Sequence, residues 1–192
     1  MKEKIICAII QTESLKALVR KGENVMYQTG DRVVYGIHGV CDIIGLETQM
    51  IDRKEVTYLV LEPLAQPGSR YMVPSHNPAA MAKLKKMMTR EELDSLIRSE
   101  SVRVGSWISD ESQRKQIYRE LIGSGDRERL ISMICTLYRH KAEQTAAGRK
   151  VHLCDDNFLR DAEKLLISEV SVVMDMDMDT AKKFIRTQLK NV

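Results

Sequence analysis

Few residues of this 192-residue chain have the types and spacing that catalysis or metal binding requires. The four histidines are scattered along the chain: His38, His76, His140 and His152. His152 lies close to Cys154, but two ligands at the start of a helix do not make a metal site. Gly123-Ser124-Gly125 lacks the Lys-Ser/Thr pair that completes a phosphate-binding loop. We therefore expect no catalytic residue, no metal site and no cofactor.

Trp107 is the residue whose type and position are most informative. It is the only tryptophan in the chain, and it lies in a polar stretch rather than on a periodic apolar face. One interpretation is that it packs back onto a core, as most tryptophans do. The other is an exposed aromatic side chain that wedges between bases while cations hold the phosphates. The cations that follow it in sequence are Arg114, Lys115 and Arg119, with Arg127 and Arg129 beyond them.

Composition and charge are those of an ordinary globular protein. Hydrophobic residues make up 43% and charged residues 30%, which is enough apolar mass to form a core and excludes disorder as the dominant state. The net charge of +3 does not by itself indicate a nucleic-acid binder. The charge is uneven, however, because residues 83–150 hold 15 Lys and Arg against 10 Asp and Glu, whereas residues 26–76 and 151–192 are net acidic.

The cysteines and the apolar stretches indicate the compartment. Cys7, Cys41, Cys135 and Cys154 form no CxxC pair, and no secretory signal precedes them. No apolar stretch reaches the length of about 18 residues that a membrane span needs. We therefore expect a soluble protein of the reducing cytoplasm with no membrane partner.

Residues 1–25 form an amphipathic segment that Gly22, Glu23 and Asn24 interrupt before a strand pattern begins. Met26 stands where a natural start would fall. We expect an extension that is poorly ordered or results from an upstream start site. The alternative is a short extra helix packed on the body of the protein.

Residues 26–77 have the pattern of a small, bent β-sheet. Short strands are expected at 32–35, 40–44, 56–61 and 69–73. Gly36 and Gly39 supply a turn between the first two strands, and a hairpin tip is expected within residues 49–54. Short strands joined by tight turns are typical of a sheet or barrel of the SH3 or Tudor type.

Residues 78–192 change to helical periodicity. Thr89 and Glu92 form a capping box that predicts a short helix ending near Ser99. Ser124-Gly125-Asp126 predicts a joint between two helices, and Asp155 or Asp156 is expected to cap a further one. The longer helices are expected at 111–122, 127–146, 155–173 and 180–190. The fold class is therefore α+β: a small SH3/Tudor-like sheet followed by an all-α helical bundle.

Two groups of motifs resemble the CarD/CdnL family of bacterial transcription regulators. The first group is Gly30-Asp31-x-Val33-Val34-Tyr35-x-x-His38-Gly39, then Tyr58-Leu59-Val60-Leu61 and Val73-Pro74. It is similar to the polymerase-interacting module that also occurs in transcription-repair coupling factor. The second group is Trp107, Ser124-Gly125-Asp126, Leu137-Tyr138-Arg139, Gly148-Arg149-Lys150, and Ala162 with Leu166 and Glu169. The resemblance covers about residues 26–190.

The resemblance implies a transcription regulator that is not an enzyme. Its Tudor-like domain is expected to bind the RNA polymerase β subunit through an edge strand. Its helical domain is expected to contact promoter DNA at the upstream edge of the bubble and to stabilise the open complex, with Trp107 as the wedge. The expected DNA-binding residues are Trp107, Arg114, Lys115, Arg119 and Lys150. The expected polymerase-binding residues are Gln49, Arg53, Arg70 and Met72. We expect a monomer associated with the nucleoid through polymerase.

The sequence departs from the family pattern in two places. The separation between Trp107 and Gly125 is longer than is common by about one helical turn, and the usual Trp-x-Arg-Arg-Tyr string is replaced by residues that include Asp110 and Glu111. Gln49 and Met72 stand where some members carry arginines. An alternative is therefore a polymerase- or protein-binding adaptor whose helical domain does not engage DNA. An enzyme, for instance a nuclease with a small β module, is a third alternative that a metal-dependent activity would support.

Overall fold

The computed structural model describes residues 27–190 and consists of a five-stranded antiparallel sheet followed by helices. This arrangement confirms the predicted α+β class, a sheet followed by a helical domain. The strands are β1 (Arg32–Tyr35), β2 (Val40–Ile51), β3 (Lys54–Pro63), β4 (Tyr71–Pro74) and β5 (Leu84–Lys86). The helices are α1 (Pro78–Met81), α2 (Arg90–Arg98), α3 (Glu111–Ser124), α4 (Arg127–Ala146), α5 (Leu153–Val173) and α6 (Met178–Lys190). The prediction for residues 1–25 lies outside the described residues.

The hairpin formed by β2 and β3 is longer and tighter than the sequence pattern predicts. Ile51 pairs with Lys54, so the connection contains only Asp52 and Arg53, and both have positive φ angles. Positive φ at both central positions is what a two-residue hairpin turn requires. A bulge near Gly45 interrupts the pairing further along β2.

The sheet has the strand order β4-β3-β2-β1-β5, which makes β4 one edge. The buried side chains of the sheet include Val33, Ile43, Leu59, Leu61 and Val73. The sequence pattern did not predict α1, which Asn77 caps through its side chain, or the three-residue strand β5. Both are too short to produce a detectable periodicity.

The capping signals locate the start of α2 and the joint between α3 and α4, with one exception at α5, while α3 ends two residues later and α6 begins two residues earlier than predicted. Thr89 and Glu92 form the reciprocal capping box. Gly125 adopts the left-handed conformation after α3, and the Asp126 side chain accepts a hydrogen bond from the Arg129 amide at the start of α4. The exception is α5, which His152 caps. Asp155 and Asp156 lie in the first turn of this helix rather than at its cap.

The described residues divide into two compact units. The sheet unit contains residues 27–33 and 41–82, and the helical unit contains residues 34–40 and 83–190, so the short 3₁₀ segment Gly36–His38 groups with the helices. The core of this second unit is built mainly from α2 to α6 and includes Leu93, Ile131, Ile134, Leu166 and Ile185. Among residues 27–190, no helix is both long enough and apolar enough to cross a bilayer.

Candidate nucleic-acid interface

Trp107 lies in the segment between α2 and α3, half-buried against the core of the helical unit. Its ring stacks on the imidazole of His140, with 3.5 Å between the ring centroids and an angle of 12° between the planes. The indole therefore belongs to a loop residue, but its ring is stacked against a side chain of the long helix α4.

Arg114 fixes the same segment from α3. Its guanidinium carbon lies 4.4 Å from the centre of the Trp107 ring, within the range of a cation–π contact. The guanidinium also makes a two-pronged ion pair with Asp155, in which Nε lies 2.9 Å from Oδ1 and Nη2 lies 3.2 Å from Oδ2. Its remaining donor, Nη1, bonds the carbonyl of Ile108 at 2.8 Å and that of Ser109 at 3.3 Å. One buried arginine therefore holds both the ring and the backbone that follows it.

The backbone before Trp107 is held by α4. Arg139 donates from Nη2 to the carbonyls of Arg103, at 3.4 Å, and Gly105, at 3.1 Å. Gly105 lies so close to the helix that a Cβ atom at this position would overlap the hydroxyl of Thr136 and lie 3.0 Å from the Ser132 carbonyl. The loop that carries Trp107 is therefore fixed on both sides of the indole.

The charges around His140 come from three helices and a loop. Burial lowers the pKa of His140 below its ordinary value. Asp155 on α5 and Glu143 on α4 oppose this effect, whereas Arg114 on α3 and Arg149 after α4 reinforce it. The net effect holds the pKa of His140 below its ordinary value, which favours the neutral form of the imidazole that stacks on Trp107.

The predicted DNA-binding residues do not all lie on the surface. Arg114 is 5% exposed, and its guanidinium forms an ion pair inside the helical unit rather than facing solvent. Lys115 is half-exposed and pairs with Glu111 one turn earlier on the same helix. Arg119 and Lys150 are exposed.

The structure brings Lys115 and Lys150 to the same end of the helical unit. His152 lies two residues after Lys150, and its Nε2 atom is 3.8 Å from the Glu111 carboxylate that pairs with Lys115. The start of α3 and the start of α5 therefore meet next to Trp107, since Arg114 and Asp155 join the same two helices.

The predicted polymerase-binding residues lie on the strands of the sheet unit. The amide Nε2 atom of Gln49 on β2 lies 3.6 Å from the Met72 sulfur on β4. Arg70, just before β4, approaches Glu47 of β2 with 4.0 Å between charged atoms. Gln49, Met72 and Arg70 therefore belong to one exposed patch. Arg53 lies apart from it, at the exposed tip of the hairpin.

Sequence reasoning missed His140 and Asp155, the two side chains that fix Trp107 and Arg114. Asp155 is 41 positions from Arg114 in sequence, and a pairing over this separation leaves no local periodicity. His140 lies within a regular helix, where its spacing resembles that of any half-buried position. Within residues 27–190, no group of three or more His, Cys, Asp and Glu side chains could hold a metal ion.

The fold and the site define a protein with an N-terminal sheet unit and a helical unit that presents an aromatic side chain. Residues 27–85 match the family of the CarD-like/TRCF RID domain, and residues 95–186 match the CarD C-terminal domain. The two matches are in the same order as the two halves of the fold and together span most of the chain. The chain belongs to the CarD family, and it is a CarD-like, RNA polymerase-interacting transcription regulator.

Proposed function

We propose that this protein binds the RNA polymerase β subunit through its sheet and stabilises the promoter open complex through its helical unit. Trp107 acts as a wedge in the DNA at the upstream edge of the bubble. The protein works as a monomer without catalysis, associated with the nucleoid through polymerase. Family membership supports the polymerase interaction, and the environment of Trp107 supports the role of the helical unit.

The observation that carries the proposal is the rigid attachment of Trp107. A wedge must keep its position while the DNA strands press on it, and this requires a side chain held by its surroundings. The indole here is stacked on His140 and is covered by a guanidinium that is itself ion-paired. Inserting an apolar side chain at a base step is an established way to stabilise distorted DNA.

The proposal gives Arg114 a supporting role and leaves the phosphate contacts to surface cations. Arg114 acts through the indole and the loop carbonyls, because its donors are already used inside the protein. Lys115, Arg119 and Lys150 contact the phosphates near the wedge. Few such contacts are needed, because binding to polymerase raises the effective concentration of the helical unit at the promoter.

The polymerase contact in this proposal is made by the patch of Gln49, Arg70 and Met72 and by the neighbouring edge strand. β4 is at one end of the sheet, the position at which a partner chain can add a strand. Met72 is 37% exposed, so its apolar side chain is accessible to a partner at this edge of the sheet.

The proposal is tested with Trp107→Ala in an assay of open-complex lifetime on a promoter with purified polymerase. We expect the variant to bind polymerase as the wild type does and to shorten the lifetime of the complex. The expected loss is roughly fivefold to a hundredfold, since one well-placed aromatic contact to a base contributes about 1–3 kcal/mol. An unchanged lifetime contradicts the wedge role.

A matched pair of sheet variants tests the polymerase contact. Met72→Asp places a charge in the proposed patch, whereas Met50→Asp places one at an exposed position, 66% accessible, that points to the other side of the hairpin. We expect only Met72→Asp to weaken co-purification with the β subunit. Equal binding by both variants contradicts the assignment of this patch.

One observation favours the alternative function, an adaptor whose helical unit does not engage DNA. Trp107 packs on its own domain, and Arg114 is buried, so the helical unit exposes fewer DNA-binding groups than the sequence predicted. The two functions differ in the Trp107→Ala experiment, because an adaptor tolerates this change without any effect on promoter opening.

A further inference from the structure

We propose that His140 is a positioning residue for Trp107, which fixes the plane of the indole from helix α4 so that the wedge is in place before DNA binds. This inference rests on the proposed function of Trp107. It assigns to His140 a role for which its sequence position gives no signal.

The imidazole of His140 and the indole of Trp107 are stacked face to face. Two rings whose centroids lie 3.5 Å apart with planes 12° from parallel cover each other over most of a face. A loop residue such as Trp107 has free rotation about its side-chain bonds unless a neighbour restricts it, and rotamers that turn the ring away from His140 lose this contact. The imidazole therefore restricts the orientation of the indole, together with the guanidinium of Arg114.

His140 is a rigid support because the helix that carries it is packed into the core. His140 lies in α4, a 20-residue helix whose side chains Ile131, Ile134 and Leu137 are buried in the core. Arg114 also contacts the indole, but it is anchored on α3 and α5. Of these two supports, His140 is the one that comes from α4, and the indole is positioned relative to all three helices.

The fluorescence of Trp107 makes its stack with His140 observable, which distinguishes a positioning role from packing alone. The chain has one tryptophan, so its fluorescence reports on this site alone. A protonated imidazole in van der Waals contact with an excited indole accepts an electron and quenches the emission, whereas a neutral imidazole quenches little. The stack therefore couples the emission of Trp107 to the titration of His140.

The groups that set this titration are Arg114, Asp155, Glu143 and Arg149, which face His140 from α3, α5, α4 itself and the following loop. Because the net effect lowers the pKa of His140, quenching is expected to develop on the acid side of the ordinary histidine value. His152 serves as the control histidine because it is exposed next to Glu111, outside the stack.

The experiment measures Trp107 emission of the free full-length protein as the pH falls from about 8 to about 5, which spans the histidine range. We compare the wild type with His140→Phe, His140→Ala and His152→Gln, after thermal unfolding has established that each variant is folded. The wild type and His152→Gln should lose emission on acidification, and both His140 variants should not. If His140→Ala shows the wild-type pH profile, the stack does not form and the inference is overturned.

Two further measurements complete the test: the accessibility of Trp107 to a quencher and the lifetime of the open complex. Acrylamide quenching at neutral pH should rise in His140→Ala and stay near the wild-type value in His140→Phe, which restores an aromatic face. Open-complex lifetime should follow the same order, with His140→Ala shortened about twofold to tenfold, as expected from the loss of one aromatic stacking contact. An unchanged lifetime in His140→Ala beside a shortened one in Trp107→Ala overturns the positioning role. An unchanged lifetime in Trp107→Ala as well overturns the wedge function itself, and the fluorescence results then stand alone.

Discussion

The guanidinium carbon of Arg114 lies 4.4 Å from the centre of the Trp107 ring, on a side chain that is almost entirely buried. An arginine in this position cannot donate hydrogen bonds to a phosphate without leaving Asp155 and two loop carbonyls unpaired. The relationship makes Arg114 part of the structure that holds Trp107, and it predicts a different response to mutation from that of the exposed Arg119 on the same helix.

Arg114→Met is expected to destabilise the protein by about 3–5 kcal/mol, because it leaves the Asp155 carboxylate buried without its partner. The measurement is chemical denaturation. Arg119→Met on the same helix is the control and should change the free energy of unfolding by less than about 0.5 kcal/mol, since Arg119 is exposed. Adding Asp155→Leu to Arg114→Met should recover much of the loss, because an apolar pair replaces the orphaned charge. A fully stable Arg114→Met variant contradicts this account.

A side chain at Gly105 is expected to destabilise the protein, for a steric reason that its backbone angles do not reveal. Gly105→Ala should cost about 1–3 kcal/mol of stability, because the new methyl group meets the Thr136 hydroxyl and the Ser132 carbonyl. Gly123→Ala is the control, since a methyl group on this helical glycine would extend into open space and alanine favours helix by up to about 1 kcal/mol.

A second substitution separates steric overlap from other causes. Thr136→Ala removes the hydroxyl that a Cβ at Gly105 meets first, so the double variant Gly105→Ala/Thr136→Ala should lose less stability than the sum of the two single variants. Strict additivity in denaturation experiments contradicts the proposed contact.

The elements of the fold could be predicted wherever a local signal marks them. The capping box of Thr89 and Glu92 and the joint at Gly125 and Asp126 satisfy backbone groups within three residues, so sequence alone locates these helix ends. β5 was missed because its three residues depend on pairing with a distant strand.

The contacts of the candidate site, in contrast, could not be predicted from the sequence. The importance of Trp107 was visible from its residue type and its polar surroundings, but its partners were not. Arg114 and Asp155 meet only because α3 and α5 pack together, and the sequence pattern placed Arg114 among surface cations. Burial of a charged residue depends on a partner far along the chain, and one sequence without relatives carries no signal of that pairing.

Stability is expected to fall in acid through Glu163. Burial by itself raises the pKa of Glu163, but hydrogen bonds from Arg186 and Tyr138 outweigh it, and the pKa lies below its ordinary value. A carboxyl whose pKa is lower in the folded state contributes stability above its unfolded pKa of about 4.3 and loses it as the pH falls further.

The measurement is urea unfolding of the wild type and Glu163→Gln at several pH values. The wild type should be the more stable at neutral pH, and the difference should shrink below about pH 4 as the carboxyl is protonated. Arg186→Met keeps the carboxyl but removes its ion-pair partner, which lies 2.7 Å away in the wild type. The free energy of unfolding of this variant should therefore also depend less on pH in the acid range than that of the wild type. A difference that persists unchanged into acid shows that the ionised pair is not its cause.

The contribution of the surface cations is expected to appear in the salt dependence of promoter binding. Each phosphate contact releases counterions, so removing one should reduce the slope of log K against log salt by roughly 1. We predict this change for Arg119→Ala and Lys150→Ala, measured with polymerase present, since both side chains are exposed. Lys183→Ala, an exposed position on α6, is the control and should leave the slope unchanged. If Arg119→Ala and Lys150→Ala behave like Lys183→Ala, these two cations do not contact phosphates, as expected for an adaptor whose helical unit does not engage DNA. If the slope falls while Trp107→Ala shortens the open complex, the charges and the wedge act on the same DNA.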